Sequence, residues 1–241
     1  MTRLPEKGEC CYLAVIGDLR RSRALPARAA VQQRLETELA QVSRALADEL
    51  SSAFVITLGD EFQGLLRRPE AAMPALSILE ERLADLPVRY AFGWGALATR
   101  LRPEAIGMDG PCFHAARDAL ELAKREQRWA AVRGFGERHD AILNGLLRLL
   151  GEVRGRWTHT QAATVRAMRR AHTQREVAAQ RGVSESTVSK ALKGAMYDAT
   201  IEAEAAVTAL LADLGRRPAP VSDGASDRTN SPGAPGRESG G

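Results

Sequence analysis

Cysteine is scarce in this 241-residue chain: three residues, Cys10, Cys11 and Cys112. An odd number at that spacing fits neither an even disulfide framework nor a metal-ligand pattern, so reduced thiols in a cytoplasmic protein are expected. Long apolar runs are lacking as well. None approaches the roughly 20 residues of a membrane span, and the N-terminus has no signal-peptide apolar region. A strong net charge is also missing, the formal value being +4. These absences exclude a secreted disulfide scaffold and a membrane-spanning protein. What remains is ordinary globular composition, 44% hydrophobic and 27% charged, with length for one large domain or two modest ones.

Two short segments share one grammar. Tyr12 to Asp18 is an apolar, strand-like run ending in Gly17-Asp18. Phe54 to Leu58 is another, followed by Gly59-Asp60 and a restart over Phe62 to Leu66, which predicts a hairpin with an acidic tip. Each aspartate taken singly is an ordinary turn residue. Together they place Asp18 and Asp60 at strand ends, as a Mg²⁺-dependent phosphate site requires.

Apolar spacing fills in the rest. Val31, Leu35, Leu39, Val42 and Leu46 predict a helix from about Pro26 to Leu50, and Leu76, Leu79 and Leu83 one from Pro69 to Leu83. Val88 to Gly95 reads as an edge-compatible strand loosened by glycines. After the loop over Ile106 to Pro111, a helix is predicted through about Gln127, then a last strand from Trp129 to Val132. The order β-α-β-β-α-β is the ferredoxin-like split βαβ, in which the first and third strands are antiparallel neighbours. That topology brings Asp18 beside Asp60.

Gly134-Phe135-Gly136 marks a domain boundary, and His139 to Val153 an amphipathic connecting helix. Charge then becomes uneven. Nine basic residues against Glu176 and Glu185 give the stretch Arg154–Lys193 a charge of +7, leaving −3 elsewhere. Within it, Thr173 and Glu176 form a capping box, Gly182 ends that helix, and Ser184 caps the next. Two short helices around a three-residue turn, with Val177, Ala178, Val183, Val188 and Leu192 inward, predict a DNA-binding helix-turn-helix. Its second helix would present Ser184, Glu185, Ser186, Thr187, Ser189, Lys190 and Lys193 to base edges and phosphates. A final helix, Ala195 to Leu214, either pairs two chains into a homodimer or closes the domain. The remaining tail has the composition of a disordered segment. The expected organisation is α+β: 1–136 a ferredoxin-like domain, 137–156 the connecting helix, 157–214 the all-α helix-turn-helix domain, and 215–241 the tail.

The stretches Ala14–Arg23, Phe54–Leu66 and Ile106–Ala119 resemble the SatD family, over about residues 10 to 214. More remotely, residues 11 to 132 are similar to the palm-like fold of class III nucleotide cyclases and GGDEF-type enzymes. That resemblance implies Asp18 and Asp60 as ligands of Mg²⁺ or Mn²⁺, Ser22 near the phosphates, and Arg117 as a phosphate-binding, catalytic arginine. Phe113 stands where those enzymes carry an asparagine, with His114 beside it. Two readings follow. One is a metal-dependent nucleotidyl cyclase or transferase. In the first the helix-turn-helix is a targeting module; the other, which alone explains it directly, is a DNA-binding regulator whose cyclase-like domain binds Mg²⁺ and a nucleotide.

Overall fold

The computed structural model describes residues 10–20 and 28–216. Ser22, the start of the first helix at Pro26, and the tail from residue 217 lie outside them. Strand β1 (Cys11–Leu19) leads into α1 (Arg28–Ala45), then β2 (Leu50–Leu58) and β3 (Glu61–Leu66). A single 3-10 turn over Pro69–Ala71 opens α2 (Ala72–Arg82), followed by β4 (Val88–Ala96), α3 (Pro111–Arg125) and β5 (Ala130–Arg133). The five strands make one mixed sheet in the order β2-β3-β1-β4-β5. β1 lies antiparallel between β3 and β4, and β5 joins β4 in parallel.

Alternation along β1 sends its side chains to two different cores. Leu13 and Val15 face a large apolar cluster with Leu35, Leu39, Leu76 and Leu79, whereas Ala14 and Ile16 face α3 through Ala116 and Leu120. A strand buried on both faces must be apolar throughout, which is why Leu13 to Ile16 carries no polar residue. β2 begins at Leu50, inside the helix expected from apolar spacing. Leu46, in the turn after α1, and Leu50, in β2, meet the same cluster, and periodicity cannot tell them from helix positions.

β4 is interior rather than edge-like. Its glycines serve close packing: a Cβ on Gly93 would overlap the backbone of Cys112 and Ala116 in α3. Cys112 is fully buried there, and burial pushes its thiol up to about 12, which removes it as a nucleophile.

The C-terminal half is helical: α4 (Glu137–Gly155), α5 (His159–Arg170), α6 (Gln174–Arg181), α7 (Glu185–Gly194) and α8 (Tyr197–Gly215). Gly134-Phe135-Gly136 sits between β5 and α4, but these two elements share a core. Leu143, Leu147 and Leu150 of α4 are buried in the large cluster with Val132. Asn144 fastens α4 to β5, accepting from Val132 N at 3.0 Å and donating to its carbonyl at 2.8 Å. Phe135 stacks on Trp94 with ring centroids 5.7 Å apart. α8 returns to the same cluster with Val207, Leu211 and Leu214. The apolar stripe of α8 therefore closes this chain's own core.

Candidate functional site

At the end of β1, the register pairs Asp18 with Glu61 across to β3 and with Arg89 across to β4. Asp60 stands one residue further out, in the two-residue turn that Gly59 opens with φ 59°, and its carbonyl accepts from Leu19 N at 3.2 Å. The carboxylate directly opposite Asp18 thus belongs to Glu61. Arg117 joins the group through Glu61, donating to Oε2 at 2.6 Å. Lys124, two turns further along α3 and on the same face, lies 3.3 Å from Asp18 Oδ1 and 3.4 Å from Glu61 Oε1. Arg89 donates to Asp18 Oδ2 at 3.2 Å.

Glu61, Lys124 and Arg89 did not emerge from sequence. Glu61 follows Asp60 in the same Gly-Asp-Glu-Phe motif, and the spacing Arg117–Lys124 was a helix-face signal for the lysine. Phe113 is a core residue of α3, and His114 points elsewhere, 2.8 Å from Asp109.

The electrostatics are those of a closed network. Burial pushes the Asp18 carboxyl above its ordinary value, against the pull of Lys124 and Arg89, while the Glu61 charge adds to the rise. Burial alone would lower Lys124, but the Asp18 and Glu61 charges outweigh it and hold the ammonium above its ordinary value. A divalent ion bridging Asp18 and its neighbour would need the place that this ammonium takes. Among the described residues no group of three or more His, Cys, Asp or Glu is arranged to hold a metal. In this arrangement the Lys124 ammonium bridges the Asp18 and Glu61 carboxylates.

The second candidate is built from α5, α6 and α7. Thr158 and Gln161 form a complete capping box at the start of α5. At α6, Thr173 accepts from Glu176 N, but the Glu176 carboxylate reaches His172 N at 2.9 Å instead of closing back on Thr173. Gly182, at φ 64°, turns the chain between α6 and α7 in the left-handed conformation that suits glycine. Ser184 caps α7 by accepting from Thr187 N at 3.2 Å. Val165, Val177, Val188 and Leu192 fasten the three helices in a small core of their own. Val183, expected inward, is 37% exposed. Ser184, Glu185, Ser186, Thr187, Ser189, Lys190 and Lys193 are all exposed.

The basic stretch is less available than its +7 implies. Arg154 pairs with Glu80 and Glu204, Arg169 with Glu204, and Arg170 with Glu81. These three fasten the helical half to α2 and α8. Arg156, Arg175, Lys190 and Lys193 are exposed. Among the described residues, no helix is long and apolar enough to cross a membrane.

No curated protein matches the chain. Among solved structures, a regulator of polyketide synthase expression from Bifidobacterium adolescentis is 18% identical, covering 87% of this chain and 81% of that one. Its TM-score is 0.27, at which the likeness carries no inference about fold or function. The SatD family model matches residues 12–211, most of the chain, and the chain belongs to the SatD family.

Proposed function

We propose that this SatD-family chain is a DNA-binding regulator, with α6 and α7 as a helix-turn-helix and α7 as the helix that enters the major groove. The observation that carries this reading is the face of α7. Its apolar residues, Val188 and Leu192, are buried against α5 and α6, while short polar residues at its start and two lysines along it face outward. Short side chains near a helix N-terminus reach base edges, and lysines meet phosphates. The sheet half, read as a palm-like scaffold of ferredoxin-like topology, holds this unit through Arg169 and Arg170 of α5.

Metal-dependent nucleotidyl transfer is not part of the proposal. The Lys124 ammonium supplies the positive charge that Mg²⁺ would bring between the strand-end carboxylates, and Arg117 is engaged by Glu61.

The test is a salt series of fluorescence anisotropy on a labelled DNA duplex, comparing wild type with the double variant Lys190→Ala, Lys193→Ala. Non-specific duplex suffices, because neutralised phosphates set its salt dependence. The variant is expected to bind more weakly, its salt slope shallower by about one for each phosphate it no longer neutralises, with unchanged thermal stability. No binding by wild type at low salt, or an unchanged slope in the variant, overturns the reading.

A further inference from the structure

Between the sheet layer and the helical half lies a cavity of about 580 Å³ that neither feature above explains. Its volume falls within the roughly 300–1,000 Å³ of small-ligand sites. The wall is formed by the end of α2, the first residues of β4, and the facing sides of α4 and α5.

Its chemistry is specific. Seven arginines and four glutamates line it, an excess of three positive charges. Two indoles, Trp129 and Trp157, also line it and are only partly buried. Both are fixed in orientation: Trp129 donates to Glu80 Oε1 at 2.8 Å, and Trp157 to the Ala195 carbonyl at 2.8 Å. Arg154 packs against both rings, 4.4 Å and 5.6 Å from their centroids. Its side chain is 9% exposed, and its Nε is buried with no hydrogen-bond partner. An unpaired buried donor is costly, and this one belongs to a side chain of the cavity wall. Among the described residues, Arg148 of α4 and Arg166 of α5 form no ion pair with a carboxylate. These two cations stand on opposite elements of the same cavity without a counter-charge of their own.

We propose that this cavity is a binding site for a small anion carrying a planar ring. The anionic group is met by Arg148 and Arg166, and the ring lies against the partly buried indole of Trp157. Arginine forks recognise carboxylate and phosphate alike, so the shared chemistry is a ring-bearing oxyanion. The inference stands apart from the DNA-binding reading, because its test contains no DNA.

The experiment is titration calorimetry of the full chain with AMP, with benzoate and with inorganic phosphate. Saturable binding of a ring-bearing anion is expected, tighter than that of phosphate alone. Preference for AMP identifies a phosphate-bearing ligand, and preference for benzoate a carboxylate. In Arg148→Ala, Arg166→Ala the affinity is expected to fall at least tenfold, with a smaller fall in Arg148→Ala alone. The melting temperature should stay near wild type, since Arg148 is exposed and Arg166 half-buried. Saturation by none of the three, equal binding of phosphate alone, or wild-type affinity in the double variant overturns the site.

Discussion

With its ammonium 3.3 Å from Asp18 and 3.4 Å from Glu61, Lys124 supplies the charge that two facing carboxylates need. Lys124→Met removes it and is expected to cost about 1 kcal/mol, a modest figure because solvent reaches the lysine. It also opens the place of a bridging cation. Mg²⁺ should then raise the melting temperature of Lys124→Met and leave wild type unmoved; a clear Mg²⁺ response in wild type would show that metal displaces the lysine. The pH dependence has a definite sign. Lys124 is held above its ordinary value, so its stabilisation is complete below 10.5 and is lost as pH rises through the higher folded value. Urea melts above that pH should weaken more steeply in wild type than in Lys124→Met. Asp18 has the same sign in a lower window: its value is also raised, so stability falls as pH climbs from 3.8 through the higher folded value. Glu204 is a harsher case. It is largely buried between Arg154 and Arg169, so Glu204→Gln leaves two guanidinium groups short of charge and should cost about 3 kcal/mol in urea unfolding.

Among the elements, β4 and α3 tolerate little added volume between them. Gly93→Ala would drive a methyl into the α3 backbone at Cys112 and Ala116, which cannot give way as a flexible side chain would. A loss of about 2 kcal/mol is expected, read as a lower urea midpoint, with Gly145→Ala in α4 as a control that meets nothing within 4 Å. This close approach explains why β4 misleads when read alone. Glycines in a strand signal either looseness or close packing, and only the partner helix decides which. Local signals, by contrast, were legible. The cap at Ser184, the Gly182 turn and the bounds of α7 all come from residues within three or four positions of each other. The antiparallel pairing of β1 with β3 was legible from element order, and it brought Asp18 to Glu61, one residue from the aspartate that the motif singled out. Illegible were pairings across long separations, such as Arg169 with Ser77, 92 residues apart, or Arg154 with Glu80. Those pairs turn part of an apparent polyanion-binding charge into internal fastening, and no local pattern announces them.

Across the described residues, α8 returns to the layer that β1 opens. α8 packs on the turn at Pro69–Ala71, on α2 and on α4, and its Val207 and Leu211 lie beside Leu13, Met73, Phe92 and Leu147. α4 covers β5 and satisfies Val132 through Asn144. A chain ending at residue 136 would therefore strip one face of the sheet of two helices and leave buried leucines and Phe92 in water. Each large side chain so exposed forfeits about 1.5–3 kcal/mol, and only a handful are needed to exhaust the stability of an ordinary domain. Such a chain is expected to be insoluble or to lack a cooperative melt. A chain ending at residue 196 keeps α4 through α7 but loses α8 and Glu204, so it should fold with a markedly lower melting temperature. Residues 157–196 expressed alone retain the small core of Val165, Val177, Val188 and Leu192, but lose the acidic partners of Arg169 and Arg170. If residues 1–136 instead melt cooperatively at a temperature close to that of the full chain, α4 and α8 are ornaments on a self-sufficient sheet domain. The helical half would then be a separable module, and the arginine fastening between them would carry no stability.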